Sequence, residues 1–224
     1  SFSGEPGAFL RDPQTLPFLV FLALVSGLGA AFLPDAGGAD PFTRVALHVV
    51  SVVTTTGYAT DDYLQWGPFF IAVFFLLTFL GGCSGSTAGG FKMFRIAVLL
   101  GFIHTLLRRM IHPHRVVNTR YSGKPVGSSV IEGVLVFSIL YAGTFAVFAA
   151  IYSLLGMDLE TALSASITAL ANVGPGVGEI IGPAGNFQSL SDTAKWLLAI
   201  QMILGRLEII AGIVILTPDF WLER

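Results

Sequence analysis

Charge is what this chain has least of. Only 12% of its 224 residues are charged, whereas an ordinary soluble domain carries about a quarter. Hydrophobic residues make up 54%, and the mean hydropathy is +0.77. Together these exclude an ordinary soluble domain and indicate a membrane protein. Cysteine is nearly absent, and Cys83 alone excludes an intramolecular disulfide framework. The histidines His48, His104, His112 and His114 do not stand at metal-ligand spacing with an acidic partner. No initiating methionine and no signal-peptide-like n-region or cleavage site is present, so a fragment of something longer is expected. The net charge of −2 says little by itself, and no nucleic-acid partner is expected.

Long apolar runs fill the space that charge leaves. Residues 1–13 are polar and rich in Gly and Pro, and 16–33 come close to the roughly 20 residues that span a bilayer. Pro34-Asp35-Ala36-Gly37-Gly38 breaks that run. Asp40-Pro41 then predicts a helix start, with Asp as N-cap and Pro at the first helical position. The apolar stretch 42–53 is too short to span and leads into Thr54-Thr55-Thr56-Gly57-Tyr58. Trp66 reads as an interface anchor, and 68–80 are apolar again. Gly81-Gly82-Cys83-Ser84-Gly85-Ser86-Thr87-Ala88-Gly89-Gly90 interrupts a stretch that resumes at Phe91 and runs to about Met110. Residues 111–124 are basic and polar. A span over 126–155, a second Asp-capped start at Asp158, a short helix over 159–170 and Ala171-Asn172-Val173-Gly174-Pro175-Gly176 follow. A polar loop over 179–193 leads to a last span over 195–216, ended by Thr217-Pro218, with Trp196 as a second anchor.

The order is an internal repeat of span, half-helix, loop and span. Asp40 aligns with Asp158, and Gly57 then falls within one position of Gly174. Residues 1–112 form the first unit, 113–125 a basic linker and 126–224 the second unit. Each loop reads as a pore loop. Glycine reaches positive φ without steric cost, so such a segment can aim successive carbonyl oxygens at one axis. Carbonyls so arranged replace the hydration shell of a potassium-sized cation. A half-helix whose C-terminal end faces the same axis adds partial negative charge. Arg108, Arg109, Arg115, Arg120 and Lys124 make the linker cytoplasmic by the positive-inside rule, so the loops open outside. Asp35, Asp61, Asp62, Glu179 and Asp192 lie near those openings, either concentrating cations or forming a solvated loop surface.

The two loop stretches, the Gly/Ser-rich break and Gly205-Arg206-Leu207-Glu208 together resemble the Trk/Ktr/HKT family of potassium uptake proteins. The resemblance covers essentially the whole chain and corresponds to the third and fourth of four membrane–pore–membrane repeats. It implies an all-α, potassium-channel-like membrane protein of the bacterial inner membrane, with a cytoplasmic C-terminus. It also implies a missing N-terminal half (or a second copy) to close the pore, a homodimer of the full-length protein and a docked cytoplasmic nucleotide-binding subunit. The ligand it implies is potassium, with no covalent cofactor and no enzymatic activity. Ion-coordinating backbone would lie at Thr55, Thr56, Gly57 and Tyr58, and at Asn172, Val173, Gly174 and Pro175. Neither stretch is the Thr-Val-Gly-Tyr-Gly of tetrameric potassium channels, which implies looser selectivity with some sodium passing.

The same resemblance makes 81–90 an intramembrane gate just below the filter, built on Gly81, Gly82, Gly85, Ser86, Thr87, Gly89 and Gly90. Its glycines would give mobility, and Ser84, Ser86 and Thr87 would bond freed backbone groups. Arg206, an arginine within an apolar span, is expensive there and faces a cavity or a partner. The resemblance sets it beneath the filter, beside the gate. Glu208 does not share its helix face. Lys92, Arg95 and Glu132 read as snorkelling or interfacial charges. Two other readings stand beside this one. Gly82-Cys83-Ser84-Gly85 resembles the nucleophile motif of rhomboid intramembrane proteases, which would need a histidine within reach of Ser84. A secondary transporter with broken helices would more often carry inverted repeats, whereas these two run in the same sense.

Overall fold

Two aspartates start the two short helices, as their place before Pro41 and Leu159 predicts. Asp40 Oδ2 accepts from the Thr43 backbone N–H at 3.0 Å, and Asp158 Oδ2 accepts from the Thr161 N–H at 3.0 Å. The Thr43 hydroxyl also donates to Asp40 Oδ2, at 2.8 Å. Hydrogen bonds from the Thr43 side chain and backbone favour the charged form of Asp40 and hold its pKa below the usual carboxylate value. Those from the Thr161 backbone and side chain do the same at Asp158.

The computed structural model describes residues 13–33, 40–112 and 118–207, with Ile209, Ala211, Gly212, Val214, Thr217 and Trp221. The lead-in at 1–12, the break at 34–39 with Asp35, linker residues 113–117, Glu208 and Pro218 lie outside the described residues.

Helix α1 (Thr15–Phe32) packs on the short α2 (Pro41–Val53). A 3-10 turn (Tyr63–Trp66) and α3 (Pro68–Thr78) follow, then α4 (Met93–Ile111). Helix α5 (Ser128–Leu154) packs on the short α6 (Leu159–Ala171), which packs in turn on α7 (Asp192–Arg206). At 1.5 Å per residue the 18 residues of α1 reach about 27 Å and the 27 residues of α5 about 40 Å. Both are long and apolar enough to cross a membrane. The same order of long helix, short helix, loop and further helix occurs twice.

Among the described residues helices and their connecting loops dominate, and the named strands form one antiparallel hairpin, β1 (Arg120–Tyr121) with β2 (Lys124–Pro125). It lies in the stretch expected to be a plain linker. Ser122 and Gly123, at φ +50° and +78°, turn it. The hairpin packs against α4, where the Tyr121 ring meets Phe94 edge-on at 5.0 Å. The Ser-Gly pair was the available signal for it.

The last span departs from the expectation as well. Instead of one run over 195–216, α7 ends at Arg206 and is capped by Leu207. Leu207 leaves the helix in a turn and Ile209 follows at φ +26°, so the helical path is interrupted there.

Helix α6 is buried along almost its whole length, with Ala162, Ser164, Ala165, Ser166, Ala169 and Ala171 among its buried residues. Small side chains let the neighbouring helices approach its backbone closely.

Candidate functional site

The ends of α2 and α6 carry the same backbone signature. After α2, Thr55 stands at φ +56° and Gly57 at φ +78°; after α6, Asn172 stands at φ +56° and Gly174 at φ +113°. In each loop one residue of ordinary φ, Thr56 or Val173, separates the two positive values. Alternating the sign of φ turns successive peptide groups so that their carbonyls face the same way. Glycine at the second position adopts positive φ without the Cβ penalty. Threonine and asparagine at the first bear that cost, a strain that persists only where the surroundings hold it.

Matched hydroxyls hold both loops. Ser51 Oγ donates to the Tyr58 carbonyl at 2.6 Å. Thr168 Oγ1 contacts the carbonyls of Gly174 and Pro175 at 3.2 and 3.1 Å and accepts from the Gly174 N–H at 3.2 Å. Each lies four residues before its positive-φ residue. The Thr56 N–H reaches back to the Ser51 carbonyl at 2.9 Å, and the Val173 N–H to the Thr168 carbonyl at 3.1 Å. Among the described residues no hydrogen bond is made to the carbonyls of Thr55, Thr56, Gly57, Asn172 or Val173. Nor does any group of three or more His, Cys, Asp or Glu side chains there suit a metal ion. The free oxygens are therefore main-chain ones at the negative ends of two helix dipoles.

The loops lie side by side. A Cβ on Gly57 would collide with the Val173 carbonyl oxygen and sit 3.2 Å from Pro175 Cδ. The Tyr63 hydroxyl donates to the Gly176 carbonyl at 2.9 Å, tying the first unit to the second loop. The stretch 81–90 meets both. The Gly89 N–H donates to Thr55 Oγ1 at 3.2 Å, and a Cβ on Gly89 would strike the Ala171 carbonyl at the end of α6. Arg206 Nη1 donates to the Thr87 carbonyl. Asn172 Nδ2 reaches the Met202 carbonyl of α7 at 3.1 Å.

Several expectations change in detail. Arg206 occupies the last turn of α7 rather than the middle of a span. The glycines of 81–90 do more than loosen the loop: Gly81 and Gly89 are buried, and a Cβ on Gly81 would strike the Gly89 carbonyl. Its ends are fastened, the Gly81 N–H to the Phe91 carbonyl at 3.0 Å and the Phe91 N–H to the Phe79 carbonyl at 2.9 Å. Ser86 bonds a freed carbonyl as expected, donating to Cys83 at 2.7 Å, whereas Thr87 contributes its own carbonyl to Arg206. Trp66 is buried at 8% exposure, against His48 and Phe70, and is no surface anchor; Trp196, at 74%, is exposed. Asp61 pairs with Arg44 at 2.9 Å, and Asp62 caps the 3-10 turn through the Leu64 N–H at 3.2 Å. Lys92 and Arg95 are half-buried and line a cavity with Arg206; Glu132 is exposed.

Two functional supports were missed. His48, set aside as a non-ligand, is buried and organises the exit of the first loop. Its Nδ1 bonds the Arg44 carbonyl at 2.7 Å, while Nε2 accepts from the Thr60 and Asp61 N–H groups at 3.3 and 3.2 Å. Both nitrogens are thus engaged. Gln201, fully buried on α7, accepts from the Tyr152 hydroxyl at 2.8 Å and donates to Ser166 Oγ at 2.9 Å; Ser166 donates onward to the Phe145 carbonyl at 2.8 Å. This network fastens α6 to α5 and α7. A glutamine inside an apolar run was its only sequence signal.

Comparison with known proteins identifies relatives of the chain and of its fold. The family model TrkH, described as a cation transport protein, matches residues 14–220. The Trk system potassium uptake protein TrkI of Halomonas elongata is 49% identical over 221 residues, covering 97% of this chain and 45% of that protein. The Trk system potassium uptake protein TrkH of Vibrio parahaemolyticus is 38% identical over 226 residues, again covering 97% and 45%. The crystal structure of the potassium transporter TrkH from Vibrio parahaemolyticus superposes with a TM-score of 0.88 at 33% identity, over 96% of this chain and 46% of that one. The chain spans about half the length of the relatives it matches.

Proposed function

The chain belongs to the TrkH cation transport family, and from that premise we propose that it lines one half of a potassium uptake pore. The observation that carries this reading is the pair of adjacent loops with matched positive-φ positions and unbonded carbonyls. In this reading α2 and α6 are pore helices, and α1, α3 with α4, α5 and α7 surround them as two tandem membrane–pore–membrane repeats. Potassium sheds its water onto the carbonyls of Thr55, Thr56, Gly57 and Tyr58 and of Asn172, Val173, Gly174 and Pro175. Those of Tyr58, Gly174 and Pro175 are already bonded to hydroxyls, so the five free ones are the stronger ligands. The stretch 81–90 breaks the span between α3 and α4 and closes the path below, latched by Arg206 at Thr87. A second half completes the ring of four loops, the complete protein pairs as a dimer, and a cytoplasmic nucleotide-binding subunit regulates it. The loops face outward from a bacterial inner membrane, and the basic linker and C-terminus face the cytoplasm.

The protease alternative has no support among the described residues. The backbone N–H of Ser84 is bonded to Gln14 Oε1 at 2.9 Å, no histidine hydrogen-bonds Ser84, and His48 is fully engaged elsewhere. The test is cation flux through the complete protein in liposomes. Gly57→Ser places a Cβ against the Val173 carbonyl at positive φ and is expected to lower potassium flux or shift preference toward sodium. Gly174→Ser meets the same φ constraint and should act likewise. Unchanged potassium-to-sodium ratios in both variants, at normal expression, would overturn the filter assignment.

A further inference from the structure

Tyr141, on α5, sits in an apolar cluster with Phe137, Ile167 and Leu170. Its ring stacks on Phe137 at 5.7 Å and meets Phe91 edge-on at 5.8 Å. Phenylalanine would pack there equally well, yet this residue carries a hydroxyl. The hydroxyl is buried and, among the described residues, has no hydrogen-bond partner. A buried donor left unsatisfied is costly, and such a group in a native structure calls for an explanation. A phenolic oxygen lies on the axis of its ring. With the ring fixed by its neighbours, the hydroxyl cannot go to a partner, so a partner must come to it.

The stretch expected to act as a gate holds the means. Tyr141 and residues 86–90 line one cavity of about 290 Å³. A single water needs roughly 10–15 Å³ of such space, so a piece of main chain can enter it. The stretch also brings unused acceptors. Ala88 and Gly89 are buried, and among the described residues their carbonyls accept no hydrogen bond. Single bonds tie the middle of the stretch to its surroundings. The Ser84 N–H donates to Gln14 Oε1 at 2.9 Å, the Gly89 N–H to Thr55 Oγ1 at 3.2 Å, and Arg206 to the Thr87 carbonyl. Its ends, by contrast, are fastened to each other through Gly81 and Phe91. A segment pinned at both ends and lightly held between them opens locally at low cost.

We propose that Tyr141 is a positioning residue for the gate. When the stretch withdraws from the two loops into the cavity, the Tyr141 hydroxyl donates to the carbonyl of Ala88 or Gly89 and holds the withdrawn state. The Gly89 N–H gives up Thr55 Oγ1 in that exchange, and the orphaned hydroxyl gains its partner. Leaving the hydroxyl unsatisfied in the closed state raises that state toward the withdrawn one, which keeps the two close enough in energy to interconvert. The proposal rests on the gate reading of 81–90 and adds to it a residue from α5 that acts on the opposite state from the Arg206 latch.

The experiment measures potassium flux per folded complete protein in liposomes, with thermal unfolding in parallel, for wild type, Tyr141→Phe and Arg206→Ala. Tyr141→Phe keeps the ring and removes only the hydroxyl. Its unfolding temperature should equal or exceed that of wild type, because an unsatisfied donor is lost. Its flux should fall roughly 5- to 150-fold, the worth of leaving such a group without its partner in the withdrawn state. Its potassium-to-sodium ratio should match wild type, since the loops are untouched. Arg206→Ala reports on the gate itself. Flux raised by Arg206→Ala but not lowered by Tyr141→Phe would overturn the role of Tyr141 and leave the gate standing, whereas no response to either variant would overturn the gate reading and the proposal with it. A Tyr141→Phe protein that unfolds at lower temperature and conducts like wild type would show a hydroxyl with a structural use only, and an altered potassium-to-sodium ratio would show that it acts on the filter; either result overturns the proposal.

Discussion

The latch between Arg206 and Thr87 makes the most exacting prediction. The Arg206 guanidinium donates to the Thr87 carbonyl of the stretch 81–90. A hydrogen bond from a charged donor is worth about 1.5–3 kcal/mol. If it holds the closed state, Arg206→Ala shifts the open-to-closed ratio by roughly 10- to 150-fold at about 1.4 kcal/mol per tenfold. The charge adds a second barrier. A unit charge about 6 Å from a passing cation costs on the order of 3 kcal/mol at an effective dielectric near 20. Arg206→Gln separates the two, since it can still donate to Thr87 but carries no charge. Flux per folded protein should therefore rise in the order wild type, Arg206→Lys, Arg206→Gln, Arg206→Ala. The assay is potassium uptake into liposomes, normalised to folded protein by size-exclusion chromatography. A purely structural arginine predicts the reverse. Its place in the last turn of α7 complements the helix dipole, worth about 0.3–1 kcal/mol. Arg206→Ala would then lose that stability and conduct no better than wild type, and this result would refute the latch.

Two further perturbations test the frame that holds the loops. Gln201→Leu removes the acceptor of the buried Tyr152 hydroxyl and should cost about 1–3 kcal/mol in thermal unfolding. Adding Tyr152→Phe should recover most of that loss, and a double variant no more stable than Gln201→Leu would show that the network is not what is lost. The Asp158 cap makes a pH prediction. Thr161 holds this carboxyl below its usual value, so its stabilisation is fully present above the unfolded value near 4 and fades as pH falls through the folded one. Asp158→Asn keeps an acceptor for the Thr161 N–H but no titrating group. The difference in unfolding temperature between the two proteins should thus be flat above pH 5 and shrink below pH 4, and a difference independent of pH would count against the cap.

What was legible in the sequence is what is decided locally. Asp40 and Asp158 cap helices because a carboxylate three residues before a free N–H can reach it, and Pro41 fits only a first turn. The positive φ of Gly57 and Gly174 follows from the residue type. The apolar runs of α1 and α5 were visible as length and composition. By contrast, the partner of Arg206 is 119 residues away, and that of Tyr63 is 113 residues away. Nothing in periodicity or spacing encodes such pairings. Trp66 was misjudged for the same reason, since an aromatic next to a loop looks solvent-facing until His48 and Phe70 pack against it, and the Arg44 partner of Asp61 was equally out of view. The glycines of 81–90 were read for freedom, yet Gly81 and Gly89 serve close approach, which only the neighbouring backbone reveals.

One asymmetry between the units bears on the proposed pore. The two loops match in φ pattern and in their hydroxyl anchors, Ser51 and Thr168, yet their glycines meet different surroundings. Gly57 sits against the Val173 carbonyl, whereas nothing among the described residues lies within 4 Å of a Cβ built on Gly174. In a ring of like loops each glycine faces its neighbour's carbonyl, so the second loop should have a follower where the first has Val173. The open face at Gly174 is thus the place where a further pore segment would pack. The same geometry explains why Gly57 and Gly174 should be equally intolerant of a side chain in the complete protein, although only one is crowded in this chain.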